Sequence, residues 1–129
     1  MKTEKRLLGD LGEDAAVTFL KKQHYRIKER NFSDDQGNEI DIVAENRDHL
    51  VIVEVKTRTY NESNIARFGT PSAAVDARKR RCLLVATRAY LSLHPCKKRI
   101  RFDVAEVYLS KETPQTVVDV HYMMDAFRP

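Results

Sequence analysis

Two short β-prone runs constrain this chain more than any other feature: Glu39-Ile40-Asp41-Ile42-Val43-Ala44 and Leu50-Val51-Ile52-Val53-Glu54-Val55-Lys56, separated by a polar segment around Asn46-Arg47-Asp48-His49. They read as a β-hairpin, because β-branched residues dominate both runs and turn-forming residues lie between them. The pattern also selects the register. With Asn46 to His49 as the loop, Glu45 sits opposite Leu50, Ala44 opposite Val51, Ile42 opposite Val53 and Ile40 opposite Val55. One face of the hairpin is then wholly apolar, and a slip of one residue would mix charge into it. On the other face the same register sets Asp41 against Glu54 and Glu39 against Lys56. Val43, Leu50 and Ile52 make the remainder of that face apolar, so its charge is confined to one end.

Strands this apolar are normally central and buried, where an uncompensated carboxylate costs several kcal/mol. Two carboxylates directly opposite each other add repulsion. A hard divalent cation such as Mg²⁺, held by one or two carboxylates and its own waters, would supply the missing charge. Lys56, two residues beyond Glu54 on the same face, would then be placed to position an attacking water and to offset charge developing on a phosphate. The alternative is a salt-bridge ladder on a solvated sheet face, the ordinary meaning of an isolated E-x-K.

The rest of the chain reads as one α/β domain spanning residues 1–129, a length typical of a single domain. Leu8, Leu11, Ala15, Phe19 and Leu20 recur at helical spacing from about Glu4 to Gln23. A short strand follows from Tyr25 to Phe32, then a turn over Ser33 to Asn38. Thr70-Pro71 predicts the start of a second helix, carried on by Val75, Cys82, Ala86, Ala89 and Leu93 and ending before Pro95. Lys98 to Leu109 and Val117 to Met123 predict two more strands. This order implies a mixed sheet flanked by helices.

Helix one offers a further acidic residue. Glu13 falls roughly 20° from Leu20 at about 100° per residue, at the edge of the apolar stripe, with Gly9, Gly12 and Ala16 nearby to allow close approach to the sheet. From there it could reach the carboxylate pair, although a glutamate near a helix N-terminus is also favoured by the macrodipole alone. Among the basic residues, Arg78, Lys79 and Arg81 on helix two and Arg58 and Arg67 in and beside the loop are candidates for phosphate contact. A solvated helix face is the commoner explanation of the helix-two run.

The motifs Gly9-x-x-Gly12-Glu13, Asn31, Glu39-Ile40-Asp41, Val53-Glu54-Val55-Lys56-Thr57-Arg58, Phe68-Gly69 and Arg101-Phe102-Asp103-Val104 resemble the YraN family of uncharacterised bacterial proteins, over nearly the whole chain. The resemblance implies a restriction-endonuclease-like, PD-(D/E)xK fold similar to archaeal Holliday junction resolvases. It also implies Glu13, Asp41 and Glu54 as metal ligands and Lys56 as the catalytic lysine. The chain departs from the family's usual Gly-Glu-Ile-Asp, with Asn38 before Glu39 and the glycine one position earlier.

The expectation is therefore a Mg²⁺- or Mn²⁺-dependent nuclease acting on DNA, with branched structures as one substrate class. The competing expectations are a non-catalytic nucleic-acid-binding module on the same fold, and an interaction protein whose acidic cluster is only structural. A homodimer is expected by analogy, since cutting two strands takes two sites. Lys plus Arg number 23 against 19 Asp plus Glu, a net charge of only +4, so any affinity for DNA must come from placement of charge rather than its total. Cys82 and Cys96 lack disulfide or zinc spacing and fit a cytoplasmic protein. The apolar run at the N-terminus is too short for a signal peptide, and no run is long enough for a membrane span. The four histidines show no zinc-site spacing, and glycine-rich phosphate loops and G-x-S-x-G elbows are absent, which sets aside NTPase and serine-hydrolase chemistry.

Overall fold

A computed structural model describes residues 3–60 and 75–128. Its elements are α1 (Glu4–Lys22), β1 (Arg26–Ser33), β2 (Glu39–Glu45), β3 (His49–Thr59), α2 (Ala77–Leu93), β4 (Arg99–Leu109) and β5 (Val117–Met123). The strands form one sheet in the order β1-β2-β3-β4-β5. Among the described strands only the β3–β4 pair is parallel, and α2 lies in the crossover that a parallel pair demands. This mixed α/β architecture is consistent with a restriction-endonuclease-like fold.

The hairpin has the predicted register: Ile42 pairs with Val53, Val43 with Ile52, Ala44 with Val51 and Glu45 with Leu50. Its turn is held by the Asn46 side chain, which accepts the amides of Asp48 at 3.0 Å and His49 at 2.8 Å. At the preceding turn, Asp34 accepts the amides of Gln36 and Asn38, and Gly37 takes the left-handed conformation at φ 84°. The displaced glycine thus still provides the positive φ, and Asn38 does not need it.

Both faces of the sheet are covered. Ile42, Ala44, Val51, Val53 and Ala105 pack against Ala16, Val17 and Leu20 of α1. On the other side Val43, Leu50, Ile52, Phe102 and Val104 pack against Leu83, Ala86 and Tyr90 of α2. Ile40, expected with Ile42, belongs instead to the α2-side cluster, where its strand partner Phe32 stacks edge-on against Tyr90. The β2–β3 ladder stops at Ile42 and Val53, so the strict alternation that would hold Ile40 on the α1 face has already ended.

Helix phases also differ from the predicted stripes. The α1 face that is buried comprises Gly12, Glu13, Ala16, Val17 and Leu20, leaving Leu8, Leu11 and Phe19 only partly covered. Gly12 explains the rotation: a β-carbon there would lie 2.0 Å from Thr57 Oγ1, so glycine lets α1 close onto β3. The predicted helix start at Thr70-Pro71 lies outside the described residues. The described helix is capped by Asp76, whose side chain accepts the Lys79 amide at 2.8 Å, while Val75 is a buried bend before it. Its buried stripe is Leu83, Ala86, Thr87 and Tyr90, and Leu93 is exposed. No described helix is long and apolar enough to cross a membrane.

Candidate active site at the end of the hairpin

Where the β2–β3 ladder ends, Asp41 replaces a backbone acceptor with a side-chain one: its Oδ2 accepts the Val55 amide at 2.8 Å. This bond pins the Asp41 carboxyl beside Glu54, which is 3 % exposed. Burial, and then hydrogen bonding and repulsion from Glu54, push the Asp41 carboxyl up to about 7, against the opposing pull of the Val55 amide and Lys79. The Asp41 carboxyl thus lies within interacting distance of Glu54.

Two ammonium groups meet the pair. Lys79 Nζ, from the first turn of α2, lies 3.3 Å from Glu54 Oε2, and Lys56 Nζ lies 3.8 Å from the same oxygen. Burial works against the Lys79 charge, but Glu54 and Asp41 outweigh it and hold the ammonium above its ordinary value. Lys79 follows the helical phase of Leu83 and Ala86, so its stem runs along the buried stripe and its tip reaches the sheet.

Glu13 lines a small cleft of about 140 Å³ together with Asp41, Glu39 and Asn31. It is nearly buried, and its Oε1 accepts from Arg30 Nε and from Asn31 Nδ2, both at 2.9 Å. Asn31 adopts a left-handed φ of 56° within β1. Among the described residues no three His, Cys, Asp or Glu side chains converge closely enough to hold a metal ion. The donor set suited to a hard divalent cation is the Asp41 and Glu54 pair, which Lys56 and Lys79 face in its absence. Glu13 shares their cleft with its carboxylate held by Arg30 and Asn31.

The candidate phosphate-binding residues separate into groups. Arg78 and Arg81 are exposed on the outer side of α2, with Arg88 further along. Lys79 turns inward to Glu54. Arg58 Nε is bound to the buried Glu106 at 2.9 Å, and Tyr108 donates to the same carboxylate. Arg67 lies outside the described residues. Asp103 is fully buried and accepts two hydrogen bonds from Arg101 and others from Tyr122 and the Asp125 amide.

Sequence reasoning missed the inward role of Lys79 and the support of Glu13 by Arg30 and Asn31. The first was within reach, since a stripe phased on Leu83, Ala86 and Tyr90 includes position 79. The second rests on a left-handed strand residue and a β1 register shift near Lys28, which no local pattern signals.

Residues 12–107 match the family described as "Uncharacterised protein family UPF0102". The chain belongs to this family. A UPF0102 protein of Caldanaerobacter subterraneus is 38% identical over 98% of both chains. UPF0102 proteins of Acetivibrio thermocellus, 41% identical over 86% of this chain and 82% of its own, and of Clostridium perfringens, 35% identical over 99% of both, are similarly related. The resemblance to the YraN family is the same membership, and the UPF0102 names carry no specific activity.

Proposed function

We propose that this UPF0102 protein is a divalent-metal-dependent nuclease that hydrolyses phosphodiester bonds in DNA, with branched structures among its substrates. The observation that carries the reading is the Asp41 and Glu54 pair, a half-buried carboxyl beside a buried one, whose repulsion has no structural benefit in a sheet. Asp41 and Glu54 would hold Mg²⁺ or Mn²⁺, which when bound supplies Lewis-acid polarisation and charge neutralisation at the phosphate. Lys56 has a partly exposed ammonium beside Glu54, from which it orients an attacking water and offsets charge on the phosphate oxygens. Glu13, fixed by Arg30 and Asn31, adds negative charge to the same cleft. Arg78 and Arg81 offer positive charge on the outer side of α2 for the nucleic-acid backbone. A homodimer would provide two such sites.

A second reading, a nucleic-acid-binding module without turnover, draws on that exposed basic side of α2 and on the engagement of Glu13 by Arg30. It leaves the Asp41 and Glu54 carboxylate pair without a purpose. The test is incubation of the purified protein with branched, duplex and single-stranded DNA, with Mn²⁺ and with chelator, beside Lys56→Ala. Metal-dependent cleavage lost in the variant supports the nuclease. Binding to DNA with no cleavage under any condition supports the module.

A further inference from the structure

We infer that Lys79 is a built-in stand-in for the divalent cation: its ammonium and the cation compete for Glu54, and the cation's arrival frees Lys79 for the substrate's phosphodiester. The inference rests on the proposed nuclease reading and concerns how that same site is regulated.

Without a cation, the site contains two carboxylates, Asp41 and Glu54, and two ammonium groups, Lys56 and Lys79. With Asp41 ionised these charges balance. A dication bound by the same carboxylates leaves an excess of positive charge in a place where Glu54 is nearly inaccessible to water and screening is weak. One ammonium must then find another anion. Lys56 is anchored on β3 two residues from Glu54, in the middle of the sheet. Lys79 lies closer to Glu54 Oε2, at 3.3 Å, but its side chain is 39 % exposed and arises from the first turn of a helix. It can swing outward by rotating its four-carbon stem, with no backbone movement.

The outward direction leads toward solvent near Arg78 and Arg81, both exposed in the same turn of α2. A lysine released there joins a surface suited to phosphates. Cation and nucleic acid therefore strengthen each other's binding: the first turns a lysine out, and the second gives it a partner. Such coupling is reciprocal. It also keeps Glu54 paired in the metal-free protein, where an isolated buried carboxylate would be costly. Lys79 is on this account a positioning residue whose partner changes between states.

The experiment is a calorimetric Mn²⁺ titration of the chelator-treated full chain, comparing the parent with Lys79→Met, Lys79→Arg and Arg81→Met. Lys79→Met is expected to bind Mn²⁺ at least about fivefold more tightly, with Lys79→Arg and Arg81→Met near the parent. The arginine variant keeps the competing charge, and Arg81→Met removes an equal charge away from Glu54. Lys79→Gln is the second neutral variant should methionine disturb the helix. A further readout is the salt dependence of binding to a short DNA duplex in Ca²⁺. The parent is expected to show a log–log slope steeper than that of Lys79→Met by about one phosphate contact, a difference that vanishes in chelator. Equal Mn²⁺ affinity in parent and neutral variants, or an equal gain in Arg81→Met, overturns the exchange and leaves the nuclease reading intact. Failure of every form to bind Mn²⁺ overturns both.

Discussion

The carboxylate of Asp41 accepts the backbone amide of Val55 at 2.8 Å, just past Ile42 and Val53, the last paired rung of the β2–β3 ladder. A side chain thus completes a sheet that the backbone has stopped forming, and it brings Asp41 against Glu54. Burial and that neighbour raise the Asp41 carboxyl to about 7 from an ordinary 3.8.

The raised value makes stability depend on pH. A group that binds its proton more tightly when folded contributes fully below its unfolded value and loses that contribution as pH rises through the folded one. In chelator the parent should therefore lose stability between about pH 4 and pH 7 from this group, by a few kcal/mol, with roughly 4 as the ceiling for such a shift. Asp41→Asn keeps an acceptor for the Val55 amide and removes the charge. It should flatten that part of the profile and be more stable than the parent at pH 8. Urea unfolding across pH in chelator checks this, and a less stable Asp41→Asn at pH 8 would point to a salt-bridge ladder.

Lys56→Ala and Asp41→Asn should separate chemistry from metal binding. The first should lose cleavage by at least about a hundredfold while retaining thermal stabilisation by Mn²⁺, and the second should lose both. Thermal unfolding with and without Mn²⁺, run beside a cleavage assay, makes the comparison.

Gly12 and Thr57 should show coupled energetics. Gly12→Ala forces a β-carbon into Thr57 Oγ1 and should destabilise the fold by about 1–3 kcal/mol despite alanine's better helix propensity. Thr57→Ala on the same background should recover a large part of the loss. A double-mutant cycle in urea measures the interaction, and purely additive effects would contradict the close approach.

Asp103→Asn should cost about 3–5 kcal/mol, because it leaves Arg101 without its buried partner and weakens the bonds to Tyr122 and Asp125. Activity per folded molecule should persist, since this cluster belongs to the sheet's packing. Chemical denaturation together with active-fraction kinetics distinguishes the two effects.

The hairpin was legible in the sequence because a period of two leaves only one register with an apolar face, and Ile42 opposite Val53 follows directly. That logic fails at Ile40, where pairing to β3 has ceased. Helix phases were harder to read. In α1 the buried face includes Gly12 and Glu13, residues without apolar signal, whose position depends on Thr57 from a distant strand. In α2 the expected stripe runs through Cys82, Ala89 and Leu93 whereas the buried one runs through Leu83, Thr87 and Tyr90, and Lys79 carries no apolar signal that would mark it as inward-facing. The dual partners of Glu13 depend on the left-handed Asn31, a tertiary requirement invisible to local spacing.

β3 is the third of five strands, and its successive residues belong to different layers: Val53 packs beneath α1, whereas Glu54 meets Lys79 of α2. The sheet insulates the two helices from each other along most of its length, but at this point Asp41 lines the cleft containing Glu13 and couples electrically to Glu54 and Lys79. Anything that tightens this junction would act as a rivet through both layers. Amide hydrogen exchange should then slow together in the middle of α1 and the first turn of α2, two places with no shared backbone ladder.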